Sequence, residues 1–265
     1  MRSIVKKFFQ NRIGYNDEQL TPLSNIFKYF WKINWLKTIL FNFTALPFYQ
    51  AIRLPFIVGY KCRIRRIGKV ILKGRVSPGM ISIGVIRLLT DSNAERLVWA
   101  NMGEMFFNGR AKFHPGAKIS VKSKGVMKMG ERVSIGSCTK LVCTKSIEIG
   151  KDTRISWECQ IFDTDFHFLR NINKGKIYDR QKNVIIGNDV FIGNSSTVGK
   201  GTMLPSGSVV SCCSKVSGDF SDEGFNLLIV GNPAKVVKKG VQMSSGFFPI
   251  EERNWAKIIE SQNDE

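Results

Sequence analysis

An aliphatic residue recurs at every sixth position in the C-terminal half of the sequence. Five consecutive units open on Ile186, Ile192, Val198, Leu204 and Val210, and a small or turn-forming residue follows each opening residue. A period of six fits neither an amphipathic helix nor an alternating strand, but it fits a solenoid of short flat strands and sharp corners. Because one coil cannot bury its own aliphatic residue, each must stack on its equivalent in the next coil. The pattern therefore predicts an all-β solenoid.

A looser form of the repeat continues upstream. Three units in phase with one another open on Ile149, Ile155 and Ile161, and isolated pairs such as Ile135-Gly136 and Ile83-Gly84 precede them. Scattered Ile-Gly pairs also mark strand ends in other β-rich proteins. Five consecutive units, with three more upstream of them, favour the solenoid instead. The period does not set the handedness of the coil, since ordinary crossovers between parallel strands are right-handed.

Two strings in this half resemble the hexapeptide-repeat acyltransferases, which include galactoside, maltose, xenobiotic and polysaccharide O-acetyltransferases. They are Val184-Ile-Ile-Gly-Asn-Asp-Val-Phe-Ile-Gly-Asn194 and Gly231-Asn-Pro-Ala-Lys-Val-Val-Lys238. The second string is similar to the signature that closes the last coil in this family. The resemblance covers about residues 66–240 and implies a left-handed parallel β-helix, coenzyme A as the acyl carrier and a homotrimer.

The chain length of 265 residues accommodates one solenoid domain with flanking pieces, and no second catalytic domain. We expect a basic, aromatic-rich helical segment over residues 1–65, with its main helix over 25–42. The β-helix is expected over 66–240, with an extruded loop at 168–183. Residues 241–265 are expected to form a tail with a short helix.

The formal net charge of +19 is concentrated near the N-terminus, where residues 1–65 hold 11 Lys and Arg against 2 acidic residues. The longest uncharged run there, 15 residues over 38–52, is shorter than the roughly 20 that a membrane-spanning helix needs. Aromatic residues beside Lys and Arg are typical of a segment that lies on an anionic bilayer. The alternative is that these aromatics pack on the first coils or between subunits.

Other sequence features limit which binding partners and which cellular compartment are expected. No recognition-helix, zinc or single-strand motif supports nucleic acid as the partner of this basic chain. The six cysteines show no CxxC spacing, and no secretory signal precedes them, so free thiols in a reducing cytosol are expected. We therefore expect a cytoplasmic protein, peripheral on the inner face of the membrane if its N-terminal segment binds lipid.

The repeat is interrupted between Ile161 and Val184. A long loop in a tight solenoid is usually functional. At its start Asp163, Asp165 and His167 occupy alternate positions, which share one face if the chain is extended. An imidazole titrating near neutral pH suits the removal of a hydroxyl proton during acyl transfer, and a carboxylate can hold its tautomer.

The resemblance strengthens this interpretation, because the family's catalytic histidine lies at the same interruption. His167 is thus the candidate general base, with Asp165 or Asp163 as its helper. The alternative is a structural histidine that caps a turn. The other histidine, His114, has no carboxylate neighbour and is interpreted as structural. With two histidines in the chain, the three-histidine zinc set of the related γ-class carbonic anhydrases is incomplete, so no metal is expected.

The resemblance also assigns candidate coenzyme A contacts. They comprise a turn facing the thioester, where a backbone amide would serve as oxyanion donor, two hydroxyls along the pantetheine and two cations near the nucleotide: Gly193, Asn194, Ser206, Ser211, Lys235 and Lys238. Two positions depart from the family pattern. Phe191 replaces a frequent Trp, and Cys212 stands where relatives carry a Lys, which weakens the phosphate assignment.

The function expected from these features is coenzyme A-dependent O-acyl transfer, with acetyl-CoA as donor. The expected acceptor is the hydroxyl of a sugar, free or lipid-linked, in surface polysaccharide or lipopolysaccharide biosynthesis. Two alternatives remain: N-acyl transfer to an amino-sugar nucleotide, and a noncatalytic solenoid scaffold. The acceptor, its hydroxyl position and the length of the acyl group stay open.

Overall fold

The computed structural model describes residues 22–86 and 95–243. Its helices are α1 (Pro22–Tyr29), α2 (Trp35–Ala45) and α3 (Phe48–Ala51), with short 3₁₀ turns at Phe30–Lys32 and Ser221–Glu223. The strands that follow are β1 (Phe56–Val58), β2 (Cys62–Arg66), β3 (Lys69–Leu72), β4 (Ile81–Ile83), β5 (Leu97–Asn101), β6 (Glu104–Phe107), β7 (Ala111–Phe113), β8 (Lys118–Val121), β9 (Val126–Met129), β10 (Val133–Ile135), β11 (Lys140–Cys143), β12 (Ser146–Ile149), β13 (Arg154–Ile155), β14 (Gln160–Phe162), β15 (Leu169–Arg170), β16 (Ile177–Tyr178), β17 (Val184–Ile186), β18 (Phe191–Ile192), β19 (Thr197–Val198), β20 (Met203–Leu204), β21 (Val209–Val210), β22 (Lys215–Val216), β23 (Leu227–Gly231) and β24 (Ala234–Lys239).

Successive strands enter three sheets in rotation, so the chain winds as a three-sided parallel coil. Sheet A has the order β1-β4-β7-β10-β13-β18-β21-β23-β24, sheet B the order β2-β5-β8-β11-β14-β19-β22, and sheet C the order β20-β17-β12-β9-β6-β3. Among the pairs of strands in the described part of the chain, only the hairpin β15–β16 and the closing pair β23–β24 are antiparallel. The solenoid predicted from the six-residue period is confirmed.

The core consists of ladders of side chains that stack from coil to coil. In sheet A one buried residue pairs with the next through every coil, in the order Val58, Ile83, Phe113, Ile135, Ile155, Ile192, Val210 and Ile229. A second ladder in sheet B runs Trp99, Ile119, Leu141, Ile161, Val198 and Val216. Each rung buries apolar area only because its neighbours are present, as the period requires.

Coil length explains why the repeat is regular downstream and loose upstream. Ile192 pairs with Val210, eighteen residues or three hexapeptides later. Ile135 pairs with Ile155, twenty residues later, and Phe113 pairs with Ile135, twenty-two residues later. The extra residues lie in longer strands, four residues each in β8, β9, β11 and β12 against two each in β18 to β22, and they shift the phase of the sequence pattern without changing the stacking.

The first coils hold large aromatic side chains, and α2 closes their open end. Trp99 meets Phe113 edge-on at 5.5 Å between ring centroids, and Phe41 of α2 meets Trp99 in the same way at 5.6 Å. The buried Asn42 side chain accepts a hydrogen bond from Phe56 N at 3.0 Å and donates one to Phe56 O at 2.8 Å. These bonds satisfy the edge of β1, which would otherwise expose unpaired backbone groups.

The boundaries at the two ends differ in detail from the expectations. Two helices, α1 and α2, stand where one helix was expected over 25–42, because the chain breaks at Phe30–Lys32 and Asn34 starts a new helix by accepting from Lys37 N at 2.9 Å. The first coil begins with Phe56 of β1, upstream of residue 66. The tail helix expected within 241–265 falls on 244–265, outside the described residues.

Candidate active site

The interruption of the repeat leaves the coil at the corner between sheets B and C. Residues 163–183 connect β14 of sheet B to β17 of sheet C, and they carry the hairpin β15–β16. The two ends of this excursion are tied together at its base. Asp165 N donates to Arg180 O, and Lys182 N donates to Asp163 O, both at 3.0 Å. These bonds hold the base of the loop to the solenoid, close in sequence to His167.

Asp163 is fully buried, and its carboxylate clamps the turn of the preceding coil. It accepts from Thr144 N at 2.8 and 2.9 Å, from Thr144 Oγ1 at 2.7 Å and from Lys145 N at 2.6 Å. Several N–H and O–H donors around one buried carboxylate offset the cost of burying its charge. These bonds point Asp163 into the solenoid and give it a structural role in this geometry.

Asp165 is paired with a cation from the following coil. Its carboxylate forms an ion pair with Lys200 Nζ, and the Lys200 ammonium also donates to Asp179 O at the far end of the excursion. Lys200 lies in the turn between β19 and β20, one coil beyond the loop. Lys200 was not among the residues predicted from the sequence. The signal was available, because Gly199-Lys-Gly201 occupies the same corner one coil later.

His167 is exposed, and no residue in the described ranges is hydrogen-bonded to its ring. The chain is not extended here: Phe166 has φ of 63°, and its N–H donates to Thr164 Oγ1 at 3.0 Å. The expectation that Asp163, Asp165 and His167 share one face is therefore wrong, because it assumed an extended strand. The turn directs one carboxylate inward and leaves the imidazole at the surface.

The surroundings of His167 are apolar and basic. The Phe162 and Phe166 rings pack edge-on at 5.5 Å, and the Arg180 guanidinium lies 4.7 Å from the centre of the Phe168 ring. Five large apolar side chains of the excursion are exposed: Phe166, Phe168, Leu169, Ile172 and Ile177. An exposed imidazole beside such a surface can meet an acceptor or a second chain.

His114 differs from His167 in its burial and in its hydrogen bonds. It is buried, its Nδ1 lies 3.1 Å from Ile86 O, and its Nε2 lies 3.3 Å from Ser134 Oγ. A carbonyl oxygen only accepts, so Nδ1 carries the proton toward Ile86. This geometry agrees with the structural interpretation of His114.

The buried cysteines offer no ready nucleophile. Burial raises the pKa of Cys62 and of Cys159 to about 11. Burial, together with the negative charge of Asp163, raises the pKa of Cys143 to about 12. Thiols with such pKa values stay protonated at neutral pH, and the thiolate is the reactive form. None of the six cysteines, which all lie in the described residues, forms a disulfide, and only Cys212 and Cys213 are exposed.

The residues assigned to the thioester end lie at a different corner, between sheets A and B. A Cβ on Gly193 would lie 2.6 Å from Cys212 N, so the tight stacking of coils requires glycine there. Gly193 N donates to Val210 O at 2.8 Å, which removes it as an oxyanion donor. Asn194 N has no acceptor among the described residues, so the oxyanion assignment narrows to Asn194. Ser211 lies at the same corner, one coil further on.

The remaining residues assigned to coenzyme A binding lie in the last coils and in the strand that closes the solenoid. Ser206 lies at the corner between sheets C and A, where its Oγ accepts from Asn188 N at 3.0 Å. Lys235 and Lys238 are exposed on β24, the strand that closes sheet A. The fold thus places His167 on the excursion from one corner of the coil. The other assigned residues lie at the other two corners, for Gly193, Asn194, Ser206 and Ser211, or on β24, for Lys235 and Lys238. A single chain does not bring them together.

The comparisons with known proteins bear mainly on the fold. The polySia-specific acetyltransferase NeuO superposes with a TM-score of 0.53 at 19% identity, covering 74% of this chain and 88% of NeuO. The chain has the fold of the hexapeptide-repeat acyltransferases. The solved structures that match this chain are left-handed β-helices, as the resemblance implied.

Two other comparisons are more distant or shorter. The N-acyltransferase AntD of Bacillus cereus, in a mutant bound to dTDP and coenzyme A, matches at a TM-score of 0.43 and 16% identity over 79% of this chain and 86% of AntD. An uncharacterized 24.8 kDa protein in the cps region of Klebsiella pneumoniae is 35% identical over 141 residues, which is 53% of this chain and 61% of that protein. No protein-family model matches the sequence.

The residues present are compatible with a coenzyme A donor on this hexapeptide-repeat fold. Gly193 itself adds no side chain at its corner, the Asn194 amide is available, and exposed cations stand on β24. Lys239, by contrast, is paired with Glu223 at 3.0 Å. Within residues 22–86 and 95–243, no group of three or more His, Cys, Asp or Glu side chains could hold a metal ion. None of the helices described has the length and apolar character to cross a bilayer.

Proposed function

We propose that this protein is a coenzyme A-dependent O-acetyltransferase that acts on a sugar hydroxyl, with His167 as general base. The observation that carries the proposal is the exposed imidazole of His167 at the base of the excursion, on a fold shared with an acetyltransferase. A base must be within reach of the hydroxyl proton it removes, and an imidazole that is not hydrogen-bonded to the protein is free to take that position.

The chemistry assigns one task to each group. Acetyl-CoA supplies the acetyl group as a thioester. His167 takes the proton of the acceptor hydroxyl as the oxygen attacks the acyl carbon, and it delivers that proton to the departing sulfur. The Asn194 amide stabilises the negative charge that develops on the carbonyl oxygen. Ser206, Ser211, Lys235 and Lys238 hold the donor, with the two lysines directed to its phosphates.

The protein acts as a homotrimer in this proposal. His167 and Asn194 lie at different corners of one coil, so a complete site requires His167 from one chain and Asn194 from its neighbour. The exposed apolar side chains of the excursion would be covered in such an assembly. Sedimentation velocity at micromolar concentration tests this. We expect a trimer, and a stable monomer that retains transfer activity would contradict it.

The proposed acceptor is a sugar of a surface polysaccharide or of its lipid-linked precursor, at the cytoplasmic face of the membrane. NeuO is specific for polySia, and the sequence relative in Klebsiella pneumoniae belongs to a cps region. Both support a polymeric carbohydrate as the acceptor class.

Mass spectrometry of surface glycans from cells with and without this protein tests the function. We expect an acetyl group that is absent without the protein and that mild alkali removes, since an ester is labile to base and an amide is not. Cells that carry His167→Ala should match the deletion. An alkali-stable acetyl group would support N-acyl transfer instead. Unchanged glycans would favour the noncatalytic scaffold.

A further inference from the structure

The outward face of α2 is apolar although the opposite face already packs on the solenoid. Thr38, Phe41 and Asn42 are buried against the first coil. On the other side, spaced three and four residues apart, four large apolar side chains are exposed: Leu36 (69%), Ile39 (45%), Leu40 (58%) and Phe43 (46%). This spacing places all four on one stripe of the helix. The stripe is distinct from the fully buried residues that hold α2 on the coil.

The apolar surface extends beyond α2. The Phe43 ring lies 5.9 Å from the ring of Phe48, which connects the stripe to α3. Phe48 and Tyr49 of α3, and Ile52 directly after it, are 60–70% exposed. A continuous exposed surface of this kind marks a contact with a membrane or another protein, rather than the single exposed residues that are common on any surface.

The charge of the surrounding sequence decides between these partners. From residue 19 to residue 90 there are twelve Lys or Arg and no Asp or Glu. Two copies that met through this face would bring the same excess of cations together, which costs free energy. Nucleic acid would match the charge but not the apolar stripe. An anionic bilayer matches both, since its acyl boundary accepts apolar side chains and its headgroups attract cations.

A basic cleft adjoins the stripe. It has a volume of about 610 Å³, and its lining includes Lys37, Lys61, Arg63 and Arg96 but no carboxylate among the described residues. Lys37 belongs to α2, and its ammonium is held in place by donation to Tyr60 O at 2.9 Å and Cys62 O at 2.8 Å. The exposed Tyr60 ring also lines the cleft. The side chains are those that bind a phosphate group.

We propose that the outer surface of α2 and α3, with the adjoining cleft, is a docking surface for an anionic lipid bilayer. The stripe enters the boundary between headgroups and acyl chains, and the cleft receives a lipid phosphate. This inference is independent of the proposed acyl transfer. It differs from attachment by basic charge alone, because it requires both the stripe and the cleft.

Flotation of the full-length protein with vesicles tests the proposal. We expect binding to phosphatidylcholine mixed with phosphatidylserine, weak binding to phosphatidylcholine alone, and loss of binding as salt is raised. The Leu40→Glu, Phe43→Glu double variant should bind at least about tenfold more weakly, because two charges then face the acyl boundary. The Lys61→Glu, Arg63→Glu double variant should lose at least about tenfold as well, since each cation near such a surface contributes roughly fivefold.

Matched controls separate the surface from general changes in charge. Phe225→Glu alters an exposed aromatic residue elsewhere, and Lys140→Glu with Lys215→Glu makes the same change in net charge on other coils. Both controls should float like the unaltered protein. Deletion of residues 1–60 is not a clean test, because it also removes β1 and the cap that α2 places on the first coil.

Three results would overturn the proposal. The first is an unaltered protein that ignores anionic vesicles at low salt. The second is a stripe variant that floats normally, which would assign binding to charge alone. The third is a stripe variant that loses its oligomeric state but keeps its lipid binding, which would make the surface an interface between copies. Circular dichroism and thermal unfolding verify that each variant is folded, and the exposure of the altered side chains predicts that they are.

Discussion

Replacement of His167 by alanine is expected to lower acyl transfer by about 10²–10⁴-fold, the usual loss when a general base is removed. The imidazole is exposed and no described residue is hydrogen-bonded to it, so its removal should leave the fold and the oligomer unchanged. Coenzyme A release measured with the purified protein and an acceptor glycan gives the rate. Calorimetry should show that coenzyme A still binds, because none of the assigned donor contacts lies on the excursion that carries His167.

The conservative variant and a nearby control sharpen this result. His167→Gln keeps the size and a hydrogen-bonding group but cannot act as a base near neutral pH, so it should be as impaired as the alanine variant. Lys176→Ala changes an exposed side chain of the same excursion and should retain nearly full rate. More than a tenth of the unaltered turnover in His167→Ala would reject the role of this residue.

Replacement of Asp163 by alanine is expected to lower the free energy of unfolding by roughly 2–4 kcal/mol. The change leaves Thr144 N, Thr144 Oγ1 and Lys145 N without the buried carboxylate that accepts from all three. Loss of a charged acceptor costs more than loss of a neutral one, because its partners stay partly dehydrated. Chemical denaturation of the purified protein measures the change.

Asp165→Ala is the matched control, since it removes the same group two residues later. Its carboxylate is partly exposed and pairs with Lys200, and such pairs contribute about 0–1 kcal/mol. We expect a small change in stability for this variant. If Asp163→Ala were as stable as the unaltered protein yet lost activity, the clamp assignment would fail and Asp163 would return as the helper of His167.

The topology of the solenoid could be inferred from the sequence because the repeat is a local property. One inward aliphatic residue for every six residues fixes the strand length, the corner and the stacking partner at once, as in the ladder from Ile192 to Val210. The place of the excursion was equally visible, since an insertion breaks the phase of the pattern. The repeat is less regular upstream because the coils from Phe113 to Ile155 are two to four residues longer, with the extra residues in their strands, while the stacking stays in register.

The geometry within the excursion could not be inferred in the same way. An alternating Asp-x-Asp-x-His pattern has a shared face only in an extended chain, and the positive φ of Phe166 removes that condition. Asp163 is fixed by the preceding coil and Asp165 by the following one, through Thr144 and Lys200. Neither partner is near in sequence, so no local pattern specifies the pairing.

The amide of Gly193 shows the same limit on a smaller scale. The sequence placed a glycine at a corner, but its N–H donates to Val210 O of the next coil, which leaves Asn194 as the available donor.

The N-terminal segment shows this limit too. Its basic and aromatic composition is visible in the sequence, but the packing of each aromatic side chain is not. Which aromatics pack and which face outward depended on the contact of α2 with the first coil: Phe41 is buried and Phe43 is exposed two residues later.

The sequence by itself determined the solenoid, the position of its interruption and the basic character of its first quarter, because each follows from periodicity or composition along a short stretch of chain. The tertiary structure decided the contacts of the two aspartates, the separation of His167 from the residues assigned to the donor and the outward stripe of α2. Each of these depends on which residues of neighbouring coils meet. Stacking brings together residues some twenty to forty positions apart, and their hydrogen bonds and ion pairs form only once the coils are in register.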